Sequence, residues 1–234
     1  MQQQGVIPLQ PIRPAAGILV SQPPVLDDGC KLFAKRLPVT GAPPTLDRGP
    51  VPLAQPTFGA PGTVFGTRRI PIGATAFDAK WRIAKAQTLP KRTVRRAIGW
   101  DDLTAQATDH DRIGLVNRWV NKSIRYGEDA VLWRSGDFWA PAGLTLVRRT
   151  GDCEDFAILK MQMLAALGIP RDQMTLTIVR DKIRNADHAV LLVRTNGATI
   201  VLDNQTDRMT DATVDSDYRP IVSLEHTGAF LHGY

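Results

Sequence analysis

The stretch Gly151-Asp152-Cys153-Glu154-Asp155 sets one thiol among carboxylates, immediately before an apolar run. Phe156, Ala157, Met161, Leu164 and Leu167 recur at helical spacing until Gly168 and Pro170 end the pattern, so the acidic run is expected to open a helix. Asp152 then takes the N-cap position and Cys153 falls in the first turn. There, unpaired backbone N–H groups and the positive end of the helix dipole favour a thiolate. The three carboxylates act in the opposite sense, which requires a cation nearby. A thiol so placed could attack an acyl carbon, with its own backbone N–H as an oxyanion donor.

Such a nucleophile needs a base and a group that orients the base. His188 opens one β-patterned stretch, residues 188–194, and Asp203 closes the next, residues 199–203. Between them stands Asn196-Gly197, a hairpin signal because both residues tolerate positive φ. Counted outward from that turn, His188 and Asp203 are eight and six positions away, a parity that puts both side chains on one face of a regular ladder. Cys153, His188 and Asp203 (Asn204 being the alternative orienter) are therefore candidates for nucleophile, general base and orienting carboxylate. Residue type alone also admits an inert cysteine, a packed strand histidine and a simple turn at Asp203-Asn204.

The acids raise a metal question. Zinc would want a second cysteine or clustered histidines at short spacing, and neither is present. His110 sits between Asp109 and Asp111 in what reads as helix capping, and His226 and His232 fall in an irregular tail. Asp152, Glu154 and Asp155 are oxygen ligands suited to calcium, although they do not form the regular calcium loop. The plain alternative is negative charge complementing a helix dipole.

The elements that must position these residues follow from periodicity. Helices are expected over residues 77–87, with Pro90 closing the first, and over 109–126, where Ile113, Val116, Val120 and Ile124 form the stripe and Gly127 the stop. Trp133, Phe138 and Trp139 follow in a loop closed by Pro141, as core packing or as the wall of a groove. Residues 174–180 alternate and are rich in β-branched side chains, like the two stretches that carry His188 and Asp203. A helix followed by antiparallel strands predicts an α+β domain.

Residues 1–62 hold twelve of the seventeen prolines, which predicts an extended or partly disordered arm with short edge strands at 18–20 and 31–34. The organisation expected is thus an arm, 1–62, and a domain, 63–234. The longest early apolar run, residues 15–20, is too short to span a bilayer, and no basic segment precedes an apolar stretch as a secretory leader would require. Two cysteines make no disulfide framework. The net charge of +6 comes with a basic cluster, Lys91, Arg92, Arg95 and Arg96, but without aromatic interleaving, so a solvated helical face or an acidic protein partner is expected rather than nucleic acid.

Several motifs occur in a fixed order: Val116-Asn117 through Tyr126, Asp137-Phe138-Trp139-Ala140-Pro141, Gly151-Asp152-Cys153-Glu154-Asp155-Phe156-Ala157, His188-Ala189-Val190-Leu191 and Val201-Leu202-Asp203-Asn204. Together they resemble the bacterial transglutaminase-like cysteine proteinases, the family that includes the LapG-type periplasmic proteases. The resemblance covers roughly residues 77–206. It implies a papain-like, transglutaminase-like α+β fold, with a catalytic helix packed on an antiparallel sheet, and a triad at Cys153, His188 and Asp203. It further implies calcium at Asp152 and Glu154, cleavage of large surface adhesins in the periplasm in the setting of biofilm release, and restraint by an inner-membrane receptor. The resulting expectation is a calcium-dependent thiol endopeptidase. The alternatives are a transglutaminase-type acyl transferase on the same fold and an inactive calcium-responsive binding module.

Overall fold

We describe the computed structural model of the chain over residues 63–100, 106–134, 136–213 and 216–233. The arm expected at 1–62, its edge strands and Cys30 lie outside these residues. The order begins with strand β1 (Arg68–Ile72) and helices α1 (Asp78–Ala86), α2 (Lys91–Ile98) and α3 (Asp109–Ser123). A two-residue strand β2 (Arg125–Tyr126), short helices α4 (Asp129–Leu132) and α5 (Ala142–Arg148) and strand β3 (Thr150–Gly151) lead into helix α6 (Cys153–Ala166). Strands β4 (Met174–Asp181), β5 (Ala186–Arg194), β6 (Thr199–Leu202), β7 (Thr210–Asp211), β8 (Tyr218–Leu224) and β9 (Ala229–Gly233) complete the chain.

The expected α6 forms as read, but it is not one-sided. Every residue from Cys153 to Leu164 is buried, because α6 packs on β5 and β4 and also against α3, α5 and α2. A helix enclosed on all sides must be apolar nearly all round, and its few polar groups must find partners. Gln162 does so, donating to Ala84 O at 2.8 Å and accepting from Arg171 at 2.7 Å.

Helix α3 begins at a capping box in which Thr108 and Asp111 bond each other's backbone N–H, so capping here belongs to those two residues rather than to His110. Its stripe Ile113, Val116, Val120 and Ile124 is buried as expected. It stops earlier than residue 126, however. Ile124 is extended, and Arg125 and Tyr126 pair in parallel with Thr150 and Gly151, so the chain leaves the helix to join β3. Helix α1 ends at Ala86, where Gln87 turns extended, so Pro90 does not close it but instead starts α2, whose exposed face carries the basic cluster around one buried residue, Val94.

Among the described residues the main sheet has seven strands in the order β1-β9-β8-β4-β5-β6-β7, all antiparallel. The hairpin turn falls at Asn196-Gly197, with Thr195 N donating to Ala198 O at 2.8 Å; of the two turn residues Gly197 alone has positive φ, 109°. Ala189, Leu191, Val193, Ile200 and Leu202 face the core that α6 fills. The opposite parity, Val179, Val190, Leu192 and Val201, forms a second cluster with Val64, Phe65 and Ala212, against which Tyr218 packs.

That second cluster lines the hollow of a curled sheet. Strands β8 and β6 are three places apart in the order, roughly 14 Å in a flat sheet at about 4.8 Å per step. Yet Tyr218 of β8 bonds Asp203 at the end of β6. Only curling, the accumulated right-handed twist closing around the Phe65 cluster, brings the two together.

Candidate active site

Gly151 and the start of α6 place the thiol. Gly127 N donates to Gly151 O at 3.0 Å, tying the residue before the helix to the end of β2. Asp152 occupies the N-cap position as expected, although its side chain makes no capping bond. Cys153 follows in the first turn, fully buried. Its sulfur is in a disulfide and lies 3.3 Å from Glu154 Oε2. A disulfide sulfur carries neither proton nor charge, so in this oxidised form Cys153 cannot form an ion pair with an imidazole.

His188 and Asp203 meet as the parity argument required. The last ladder pair is Leu191 with Leu202, so Asp203 lies one step beyond, beside Val190 and two residues from His188 on the same face. His188 Nε2 is 2.9 Å from Asp203 Oδ1. Burial alone would raise the Asp203 pKa, but the hydrogen bond and charge of His188, with bonds from Tyr218 and the Gln205 N–H, outweigh it and bring the carboxyl down to about 2. An ionised carboxylate only accepts, so Nε2 carries the proton toward Asp203 and Nδ1 is left with the basic lone pair. The imidazole follows the parity of Val190 and Leu192, not that of Ala189 and Leu191, which pack on α6.

A third feature surrounds the thiol. Asp129, in the first turn of α4, joins Asp152 and Glu154 in a buried group in which one carboxylate oxygen from each residue lies within 4.8 Å of the other two. Asp129 Oδ2 accepts from the Phe138 N–H, but Asp129 Oδ1 and Asp152 Oδ1 are buried without partners, as is Asp155 Oδ2. Burial drives the Asp129 carboxyl up to about 6, and burial followed by the charges around it drives Asp152 to about 7 and Asp155 to about 9; Glu154 is pushed up in the same way. Anions gathered out of water with orphaned oxygens are costly unless a positive charge joins them. Three hard oxygen donors fit a hard divalent cation and not zinc. Asp155 is set apart from the three, with Oδ1 accepting the Ala140 N–H at 2.7 Å.

The sequence singled out Cys153, His188, Asp203, Asp152 and Glu154. It missed Asp129, whose signal was no more than an acid in a first turn, and Tyr218, which stands at the head of a strand that the sequence reading did not identify. Of the aromatics upstream, Trp139 is core, stacked on Phe77 at 5.6 Å, whereas Trp133 and Phe138 contact each other at 5.0 Å with Phe138 exposed.

Residues 86–227 match the sequence profile of the bacterial transglutaminase-like cysteine proteinases. LapG of Legionella pneumophila is similar in structure, with 26% identity and a TM-score of 0.51 over 69% of this chain and 89% of that one. Its calcium-bound form gives 26% identity and a TM-score of 0.52 over 67% and 88%. No curated protein matches the chain. Among the described residues, no helix is long and apolar enough to cross a membrane.

Proposed function

The chain belongs to the bacterial transglutaminase-like cysteine proteinases, and from that membership we propose a thiol endopeptidase whose working groups are Cys153, His188 and Asp203. The observation that carries this reading is the buried His188–Asp203 pair, 2.9 Å apart, whose imidazole lies on the face of β5 opposite the one that packs on α6; the meeting of that imidazole with the Cys153 sulfur is drawn from the family membership. Once reduced, Cys153 gives its proton to His188 Nδ1 and the sulfur adds to a peptide carbonyl carbon. The oxyanion meets the N–H groups at the head of α6. Collapse expels the amine, which takes the proton from His188, and leaves a thioester. Water then adds to the thioester with His188 as base, releasing the acid and restoring the thiol. Asp203 holds the imidazole in the Nδ1-basic tautomer and balances the imidazolium as it forms.

Calcium is part of the proposal. Asp152 and Glu154, with Asp129 added by the fold, would hold it, and bound there it would supply the positive charge that the carboxylates around Cys153 lack. That compensation favours the thiolate and leaves the head of α6 ordered. The sequence resemblance supports the remaining parts of the proposal: a large surface adhesin as substrate, the periplasm as compartment and an inner-membrane receptor as restraint.

The test is acylation of the reduced, full-length chain by p-nitrophenyl acetate, read as a p-nitrophenol burst and as the mass of the modified peptide. Acetyl carried on Cys153, lost in Cys153→Ala and slowed at least 100-fold in His188→Ala, is the expected result. A burst that survives both substitutions sinks the reading. Offering glycine methyl ester as an amine acceptor decides hydrolysis against acyl transfer by the mass of the product.

A further inference from the structure

Asp203 is held on every side. Oδ1 accepts from His188 Nε2 at 2.9 Å and from the Gln205 N–H at 3.0 Å, and its main-chain carbonyl accepts from Asn121 Nδ2 at 2.9 Å. Asn121 also donates to Thr206 O at 2.9 Å and Asp207 Oδ1 at 3.2 Å, so α3 clamps the turn that carries the carboxylate. What remains is Oδ2, and it accepts from Tyr218 Oη at 2.5 Å.

Tyr218 is a distant source for that bond. It comes from β8, across the hollow of the sheet, with its ring 5.7 Å from the His188 ring and edge-on to Phe65 at 6.0 Å. Both aromatic contacts involve the ring alone and would be made equally well by phenylalanine. Among the described residues the hydroxyl has one partner, the carboxylate oxygen that His188 does not use. A carboxylate bonded through Oδ1 alone can still rotate about its Cβ–Cγ bond and carry the His188 contact out of line; a second donor on Oδ2 fixes its plane. Burial and the Asp203 charge keep the phenol protonated, so it always donates.

We propose that Tyr218 is a positioning residue for the His188–Asp203 pair, its hydroxyl locking the carboxylate so that Oδ1 stays aligned with the Nε2–H and Nδ1 stays the basic nitrogen. The proposal rests on the protease reading for its purpose, but its geometry is independent of substrate. It predicts that losing one oxygen atom far from the scissile bond weakens catalysis without weakening binding.

The experiment compares Tyr218→Phe, which keeps the ring, with Phe65→Leu, which keeps the hydroxyl, in the reduced full-length protein. One readout is the His188 Nε2-bound proton and ring ¹⁵N shifts by NMR, and the other is the rate and half-saturation of acylation by p-nitrophenyl acetate. Tyr218→Phe is expected to lose or move the downfield Nε2 proton and to slow acylation roughly 10- to 100-fold, the range for one hydrogen bond to a charged acceptor, with half-saturation within about twofold. Phe65→Leu is expected to leave the proton in place. A Tyr218→Phe protein with the parental proton signal overturns the proposal, as does a Phe65→Leu protein that shifts it equally. Should Tyr218→Phe not fold, 3-fluorotyrosine placed at position 218 alone makes the phenol more acidic with little change in size, and an unmoved His188 proton there is the overturning result. If the parent is never acylated at Cys153, the protease reading fails, while the proton comparison still decides Tyr218.

Discussion

Gly151 and Asp155 occupy space that admits no side chain between them. A Cβ added to Gly151 would stand 2.7 Å from Asp155 Cβ and 2.8 Å from its Oδ2. Both contacts are closer than real Cβ atoms come, and one of them is to the Asp155 Cβ, at the base of a side chain held by the Ala140 N–H. Glycine is needed here for close approach and not for its φ, which is why the residue before Asp152 is the smallest one available. Gly151→Ala is expected to cost about 1–3 kcal/mol in urea unfolding and to weaken cation binding, since it pushes on the start of α6.

The acid group makes stability depend on pH and cation together. Asp129, Asp152 and Asp155 have folded-state pKa values raised to about 6, 7 and 9, so the folded chain holds more protons than the unfolded chain above about pH 4. Their contribution is fully present below that pH and is lost as pH rises through those values. In chelator, Tm is expected to fall between pH 5 and pH 9. Calcium should restore it, by about 2.7 kcal/mol where its concentration is one hundred times Kd, and a fixed concentration should give more at pH 8 than at pH 5, where protons compete for the carboxylates. Glu154→Gln should be more stable than the parent in chelator at pH 8 and gain little from calcium; calorimetry with and without the ion checks both.

Cys153 is disulfide-bonded. A sulfur in a disulfide is no nucleophile. The chain prepared without reductant is expected to show no acylation burst, and dithiothreitol should bring one. Equal bursts from oxidised and reduced parent chain would contradict the prediction.

Lys160 lies buried in α6 with burial lowering its pKa to about 7, while the charges of Asp203 and Asp207 hold it up. Its folded pKa lies below the unfolded value, so the unfolded chain binds the proton more readily and stability rises with pH between about 7 and 10.5. Lys160→Met removes that slope. Relative to the variant, the parent is expected to gain on the order of 1–3 kcal/mol between pH 7 and pH 9.5, measured by urea unfolding.

Much of this protein was legible in residue order, for a local reason. Spacing along an element states which way a side chain leaves it, so the helix opened by Cys153 and the hairpin parity that joins His188 to Asp203 could be read before any fold was known. What only the tertiary structure decided lies between elements that are not neighbours in sequence. Helix α6 is enclosed on all sides because α2, α3 and α5 pack on it as well as the sheet. Helix α3 gives up its last turn because Arg125 and Tyr126 find partners at Thr150 and Gly151. Asp129 joins Asp152 and Glu154 across more than twenty residues, and Tyr218 reaches Asp203 because the sheet curls. Periodicity carries no record of such meetings: it sets a direction for each side chain, while twist, packing and pairing set what stands at the other end.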